Sequence, residues 1–324
     1  MKSVAAILSL MTLLQQTPVQ PVQAGQTGPM RAQKIVLNIN DNAGRFMMNV
    51  KAGDLLIEED GIPQKITSFV QDSDIPLSLG ILIDTSTSMR LPLHVQGRER
   101  IPAALLAATG VARAVVKLMK PQDEFMLMTF DEKVHVKQNF TQDRKKIEDL
   151  LYKMNTVGDA THLYSSVLTA IDKMEKAKYR RKALIVITDA YDTSGKQLED
   201  LRVELGSQEV QVFTAGLRSV FEEVPDPTAE PLFQLVLRVL SGDTGGLSIV
   251  LDVPELQSTS SVEGIIGFAQ IMALELRGQY TLTYDTTKTG SLASRFVRVR
   301  APNYPGVRVR IRRDAEEPLR PQKK

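Results

Sequence analysis

The apolar residues of this chain form short runs that alternate with stretches of helical periodicity. Leu77–Ile83 and Ala183–Ile187 are almost entirely apolar, as is typical of strands that are buried on both faces. Between them, apolar residues along 101–118 recur at the spacing of an amphipathic helix. Strands that alternate with helices of these lengths predict an α/β fold, with a doubly wound, mostly parallel sheet that carries helices on both faces.

The same alternation continues along the chain to residue 276. Further predicted strands cover 125–130, 210–215 and 247–251. Further predicted helices cover 147–154, 163–174, 196–205, 229–240 and 260–276. We therefore predict a single α/β domain over 76–276.

The segments on either side of this domain have a β pattern without helices. Their predicted strands cover 34–39, 65–70, 280–284, 296–300 and 307–312. We predict an N-terminal β segment over 25–75 and a C-terminal β segment over 277–313. The sequence leaves open whether these two segments form one accessory β domain.

The last two predicted strands are joined by Asn303–Gly306, which is a typical hairpin turn. Arginine alternates with apolar residues along both strands, at Arg298, Arg300, Arg308, Arg310 and Arg312. Such arginines either attract an acidic polymer or membrane surface, or form the water-facing side of the hairpin and block pairing at its edges. We favour the second interpretation.

The two ends of the chain have compositions that are unlike the rest. Residues 1–24 begin with a lysine, continue with a short apolar run and end in small residues, which is the layout of a secretory signal peptide. This run is too short for a permanent membrane anchor, and no other run approaches membrane-spanning length. Residues 314–324 are charged and contain prolines, which favours a disordered tail. We therefore expect a secreted or periplasmic protein without an integral membrane segment after signal removal.

Composition limits the chemistry that this chain can perform. It has no cysteine, which excludes disulfides, thiol nucleophiles and cysteine-based metal sites. It has only three histidines, and they are well separated, so any bound metal is expected to be a hard cation held by oxygen atoms. The formal net charge of +2 argues neither for nor against nucleic-acid binding, and we assign no nucleic-acid partner.

Polar side chains follow two of the predicted strands and precede one of the helices. Asp84, Ser86 and Ser88 come directly after the first apolar run, and Asp189 follows the run at 183–187. Thr161 lies just before the predicted helix at 163–174. Because ligands of an open parallel sheet gather at the carboxyl ends of its strands, we expect these five side chains to meet at one edge.

Carboxylates and hydroxyls are ligands for magnesium, or for the similar ions manganese and calcium. If neutral hydroxyls fill much of the coordination shell, the ion keeps a net positive charge and favours an anionic ligand from outside, such as an Asp or Glu of a partner protein. The competing interpretation is that these side chains are ordinary helix N-caps, for which Asp, Ser and Thr are the preferred residues.

In combination, these residues resemble a known site. The Asp-x-Ser-x-Ser pattern of Asp84, Ser86 and Ser88 is similar to the metal-ion-dependent adhesion site of von Willebrand factor A domains. Thr161 and Asp189 occupy the positions at which that family has its metal-binding threonine and its later aspartate. The resemblance implies the same fold over 76–276 and assigns all five residues to a metal site.

The flanking segments are similar to those of a bacterial subfamily of secreted proteins with this domain, on the stretch Asp60–Phe69. The chain departs from the usual pattern at two places, since Asp159-Ala160 replaces a glycine pair before Thr161 and Ala190 replaces the glycine after Asp189. The resemblance implies a secreted, non-enzymatic binding or adhesion protein whose metal engages an acidic residue of a protein partner.

Two other functions compete with this hypothesis. One is a structural or assembly scaffold of a cell-envelope complex that binds partners without metal. The other is a magnesium-dependent phosphotransferase, but that chemistry needs a second acid two residues after the first aspartate, and this position is Ser86. The identity of the partner, the native ion and the oligomeric state cannot be read from the sequence.

Overall fold

A computed structural model describes residues 29–42, 44–71, 73–90, 103–155, 158–205, 210–218, 229–242, 244–253, 259–289 and 295–312. The proposed signal peptide at 1–24 and the proposed tail at 314–324 lie outside the described residues.

The described part of the chain contains strands β1 Arg31–Asn40, β2 Leu56–Glu59, β3 Ile62–Gln64, β4 Ile66–Gln71, β5 Leu77–Asp84, β6 Glu124–Phe130, β7 Val134–Thr141, β8 Arg181–Thr188, β9 Gln211–Arg218, β10 Ser248–Asp252, β11 Tyr280–Thr286, β12 Val297–Arg300 and β13 Arg308–Arg312. Its α-helices are α1 Ala103–Leu118, α2 Arg144–Tyr152, α3 Leu163–Lys173, α4 Leu198–Leu205, α5 Ala229–Gly242 and α6 Thr259–Arg277.

The central sheet has six strands in the order β10-β9-β8-β5-β6-β7. Five of these strands are parallel, and β7 pairs antiparallel with β6 at one edge. All eight residues of β5 are buried, as the almost continuous apolar run Leu77–Ile83 predicts for a strand in the middle of a covered sheet. The prediction of an α/β fold with a mostly parallel sheet is therefore confirmed.

Helices cover both faces of this sheet and form a separate apolar core on each. Helices α1, α2 and α6 pack on one face, where Val111, Ile147 and Phe268 are among the buried residues. Helices α3, α4 and α5 pack on the other, where Val167 and Leu237 are buried. No helix in the described ranges is both long enough and apolar enough to cross a membrane.

The two flanking β segments fold together into a pair of antiparallel sheets. The first sheet has the order β13-β1-β11-β4, so strands from the two ends of the chain alternate within it. The second sheet has the order β12-β2-β3. Ile35, Leu282, Ile57 and Val299 are buried in the core that both sheets share. The sequence left open whether the N-terminal and C-terminal β segments form one domain. In the structure they pack together as one accessory β sandwich.

The hairpin that we predicted at the C-terminal end is wrong. Both strands exist, but β12 pairs with β2 in the second sheet, whereas β13 pairs with β1 in the first sheet. The turn around Tyr304 therefore carries the chain from one sheet of the sandwich to the other. The alternation of arginine with valine predicts two strands correctly, but it carries no information about the strand with which each one pairs.

A buried polar cluster connects the sandwich to the end of α6. The Glu275 carboxylate is almost completely buried and accepts hydrogen bonds from the side chains of Asn40 and Arg310. The Asn38 side chain donates to the Gly278 carbonyl oxygen at 2.6 Å. A side chain at Gly278 would overlap the ring of Phe46. Arg310 is thus an internal ion-pair partner and not part of the water-facing side that we predicted for the arginines.

Candidate metal centre

Asp84 ends β5 with its side chain completely buried, at the carboxyl edge of the central sheet. Its Oδ1 accepts hydrogen bonds from the backbone N–H of Ser86 at 3.0 Å and from the Ser86 hydroxyl at 2.6 Å. The Ser86 and Ser88 hydroxyl oxygens lie 3.0 Å apart. The alternate residues of the Asp-x-Ser-x-Ser segment therefore direct their oxygen atoms to one point.

The end of β8 brings a second carboxylate to this point. Thr188 donates from Oγ1 to Asp84 Oδ2 at 2.7 Å, and the Ser88 hydroxyl hydrogen-bonds the Asp189 carboxylate. Sequence reasoning did not assign a role to Thr188. The available signal was that a polar residue follows the apolar run at 183–187 within the same strand, directly before Asp189, which is unusual for a strand buried on both faces.

The two carboxyl groups are held close together without a compensating positive charge. Burial, reinforced by the nearby Asp189 carboxylate, raises the pKa of the Asp84 carboxyl from its usual 3.8 to about 7. Burial also raises the pKa of the Asp189 carboxyl. Within the described part of the chain, neither carboxylate forms an ion pair with a basic side chain.

The loop that carries Thr161 is fixed against the segment after β5. Gly158 forms a parallel bridge with Ser86, and the Thr87 hydroxyl donates to the Gly158 carbonyl oxygen at 2.8 Å. A side chain at Gly158 would overlap Asp131, so glycine is required where this loop packs against Asp131. Thr161 itself is buried, and its carbonyl oxygen accepts the backbone N–H of Thr193 at 2.7 Å. The Thr161 segment and the Asp84–Ser88 segment are thus neighbours at the same edge.

Asp159 and His162, on either side of Thr161, are nearer to solvent than Thr161 itself. Asp159 is exposed and accepts a hydrogen bond from the Thr87 hydroxyl at 3.2 Å. His162 is partly exposed, and its backbone N–H donates to the Asp131 carbonyl oxygen at 2.8 Å. Asp159 therefore places a negative charge at the rim of the site.

The N-cap interpretation does not describe these hydroxyls. The residue that caps α3 is His162, one position after Thr161, and its side chain makes no capping hydrogen bond. The Ser86 hydroxyl bonds a carboxylate, and the backbone N–H that the Asp84 carboxylate accepts is that of Ser86, in the tight turn after β5. The serines thus bond to other side chains at the sheet edge, where a capping serine would bond to a helix N-terminus.

The set of oxygen ligands at this edge is suitable for a hard divalent cation. It consists of two carboxylates and several neutral hydroxyls, which are oxygen ligands of the kind that Mg²⁺ and Ca²⁺ use. No cluster of three or more His, Cys, Asp or Glu side chains able to hold a metal occurs among the described residues. A cation between Asp84 and Asp189 would offset the cost of burying these charges, which raises both pKa values, and the repulsion from Asp189 that adds to the shift at Asp84.

Ala190, directly after Asp189, adopts a backbone conformation that disfavours any residue with a side chain. Its φ of 63° lies in the left-handed region, which costs roughly 1–2 kcal/mol for an L-residue. We expect Ala190→Gly to raise the free energy of unfolding by up to about 1 kcal/mol, because glycine adopts this conformation without strain but loses more entropy on folding. Denaturant unfolding measures this change, and a stability below that of the parent chain would contradict it.

Comparison with known proteins identifies the domain that carries this site. Residues 79–192 match the family model of the von Willebrand factor type A domain. No curated protein matches the chain.

Several solved structures are similar to this chain. Protein BatB from Bacteroides thetaiotaomicron is 18% identical, with 61% of this chain and 98% of that chain covered and a TM-score of 0.44. A von Willebrand factor type A structure from Catenulispora acidiphila is 12% identical, with 83% and 67% covered and a TM-score of 0.45. Proximal thread matrix protein 1 from the mussel byssus, with a zinc-occupied adhesion motif, is 12% identical, with 68% and 50% covered and a TM-score of 0.44. The family match over 79–192 agrees with the parallel sheet and its two helical layers, and it shows that the chain contains a von Willebrand factor type A domain.

Proposed function

We propose that this chain is an exported, non-enzymatic binding protein that engages an acidic residue of a protein partner through a divalent cation. The cation is Mg²⁺, or Mn²⁺ or Ca²⁺ in its place, and Asp84, Ser86, Ser88, Thr161 and Asp189 form its site. Domains of this family commonly serve as protein interaction modules, which agrees with a binding role.

The observation that carries the proposal is the arrangement around Asp84. Three hydroxyl groups, from Ser86, Ser88 and Thr188, surround two carboxyl groups that are raised in pKa and lack a basic partner among the described residues. A buried charge without a partner is costly, and proteins retain such charges mainly where they are paired or coordinate a metal.

The role of each residue follows from its charge and position. Neutral hydroxyls at Ser86, Ser88 and Thr161 compensate none of the charge of an ion. Asp84 and Asp189, acting partly through water, hold the ion at the sheet edge and leave it able to attract an anionic ligand. Thr188 keeps the Asp84 carboxylate in its orientation through the 2.7 Å hydrogen bond. A bound cation supplies a coordination position for a carboxylate from outside the chain.

Binding is a better match than catalysis for this set of groups. A phosphotransferase of the type considered above needs an acid two residues after the first aspartate. Ser86 is at that position, and its hydroxyl donates to Asp84, so it cannot protonate a leaving group in the way that a carboxylic acid does.

A pH profile tests the pair of carboxyl groups without a partner protein. Because the pKa of Asp84 is about 7 in the folded state and near 4 when unfolded, the folded state binds more protons than the unfolded state between these values. We expect the free energy of unfolding of the chelator-treated protein to fall as the pH rises from about 4 to about 7, by at most about 4 kcal/mol from this group. Excess Mg²⁺ should oppose this loss most strongly at the upper end of the range. A flat profile in chelator would contradict the account.

Capture of partners from the cell envelope or culture medium tests the function itself. The purified chain is used as bait with Mg²⁺, with chelator, and as the variants Asp84→Asn and Ser78→Ala. Ser78 is buried at the opposite end of the same strand, so its variant controls for loss of stability in β5. We expect the same proteins with Mg²⁺ on the parent chain and on Ser78→Ala, and their loss in chelator and on Asp84→Asn. Equal recovery in all arms would favour the metal-independent scaffold.

A further inference from the structure

The accessory sandwich has a free strand edge at β12. The backbone N–H of Asp60 donates a hydrogen bond to the carbonyl oxygen of Phe296 at 2.8 Å. The backbone groups of Phe296 therefore point towards β2. Backbone groups of successive residues in an antiparallel ladder point to opposite sides. Those of Val297 and Val299 therefore point away from β2, and β12 has no second neighbour among the strands that the structure describes.

A groove lies next to this edge, at the opening between the two sheets. It has a volume of about 340 Å³, and apolar side chains form most of its wall, including Leu56, Val299, Tyr304, Val307 and Val309. Leu56 is 53% exposed and pairs with Arg300, so its part of the groove wall lies on the outer face of the second sheet. The groove can accept apolar side chains from a strand added beside β12.

The outer face of the same strand carries positive charge. Arg298 and Arg300 are exposed and lie on the face opposite Val299. Arg300 pairs with Glu58, whereas Arg298 has no acidic partner within the described chain and its guanidinium lies 5.8 Å from the ring centroid of Phe296. Phe296 is 64% exposed. A strand added here would thus have apolar surroundings on its inner face and an arginine on its outer face.

We propose that the free edge of β12 binds an extended segment of another protein by strand addition, and that this segment alternates apolar and acidic residues. Its backbone pairs with Val297 and Val299, its apolar side chains enter the groove, and its acidic side chains lie beside Arg298. Open edges are a usual template for such pairing, and opposite charges on neighbouring strands stabilise it. This site is separate from the metal centre, so the protein would bind two partners at once.

The test is fluorescence anisotropy of the full chain with two labelled peptides, GVEVEVG and its basic counterpart GVKVKVG, in chelator so that the metal centre does not contribute. We expect the acidic peptide to bind and the basic one to bind at least about tenfold more weakly, since like charges on adjacent strands repel. Arg298→Glu should reverse this preference. Arg298→Gln introduces no like charge opposite Glu58 and should weaken the acidic peptide several-fold even if Arg298→Glu does not fold.

Lys137→Glu is the matched control, because Lys137 is an exposed basic residue on β7, an edge strand of the central sheet. It should leave the binding of both peptides unchanged. The proposal is overturned if neither peptide binds at concentrations on the order of 1 mM, or if the two bind equally well. Dimerisation of the chain that is lost in Arg298→Glu, with no binding of either peptide, would assign the edge to a second copy and would overturn it as well.

Discussion

Asp84→Asn is expected to stabilise the metal-free protein at pH 7 and to abolish its response to Mg²⁺. The amide is of nearly the same size, can accept the Ser86 hydrogen bonds at its oxygen and can donate to Thr188, but it carries no charge. The neutral amide avoids the cost of burying a charge and also ends the repulsion with Asp189, so we expect a gain of roughly 1–3 kcal/mol in the free energy of unfolding in chelator.

The same substitution removes the charge that holds a divalent ion. For the parent chain, Mg²⁺ at a hundred times its dissociation constant should add about 2.7 kcal/mol to the free energy of unfolding, and for Asp84→Asn it should add almost nothing. Denaturant unfolding with and without Mg²⁺ measures both effects. Ser78→Ala provides the comparison, because it should lower the baseline and retain the Mg²⁺ increment. An Asp84→Asn protein that is less stable in chelator and equally responsive to Mg²⁺ would contradict the assignment.

Arg310→Met is expected to destabilise the whole protein by about 3–5 kcal/mol. The guanidinium of Arg310 contacts the Glu275 carboxylate, which is buried between α6 and the first sheet of the sandwich. Burial raises the pKa of Glu275, and Arg310 opposes that shift, so the methionine variant leaves a buried acid without its cation. Arg310 also donates to the Gly246 carbonyl oxygen at 2.5 Å, and this contact between the sandwich and the α/β domain is lost too.

Two comparisons separate the ion pair from other effects of the substitution. Arg308→Met replaces an exposed arginine on the same strand, and we expect it to change stability by less than about 0.5 kcal/mol. The double variant Arg310→Met/Glu275→Gln removes both charges and should recover part of the loss, since Asn40 still bonds the neutral side chain. Chemical denaturation gives all of these values. If Arg308→Met and Arg310→Met are equally stable, the buried cluster does not hold the sandwich to α6.

The sequence was most informative where burial is complete. The apolar runs at 77–83 and 183–187 predict β5 and β8 because strands in the middle of a covered parallel sheet need apolar side chains on both faces. The proximity of Asp84 and Asp189 follows from the same argument, since these residues come directly after the two runs and their strands are adjacent in the sheet. The polar residues at the ends of β5 and β8 therefore lie together, as expected.

The sequence was least informative for strands that have one solvent-exposed face. We did not predict β7, because its residues are mostly half-exposed and its run Val134–Thr141 includes His, Lys, Gln and Asn. We also did not predict the short strands β2 and β3, because they lie directly on either side of a turn that begins at Asp60. The partners of β12 and β13 depend on contacts with β2 and β1, which are distant in sequence and leave no mark in the local pattern.

The most direct test of the metal centre is a crystal structure of the full chain with Mn²⁺, solved with data that record the anomalous signal of manganese. The account predicts one strong anomalous peak at the carboxyl edge of the central sheet, with the hydroxyl oxygens of Ser86, Ser88 and Thr161 around it. The same experiment with Asp84→Asn should show no peak there. A parent crystal without that peak, or with manganese only at other positions, would contradict the claim that these residues form a metal site.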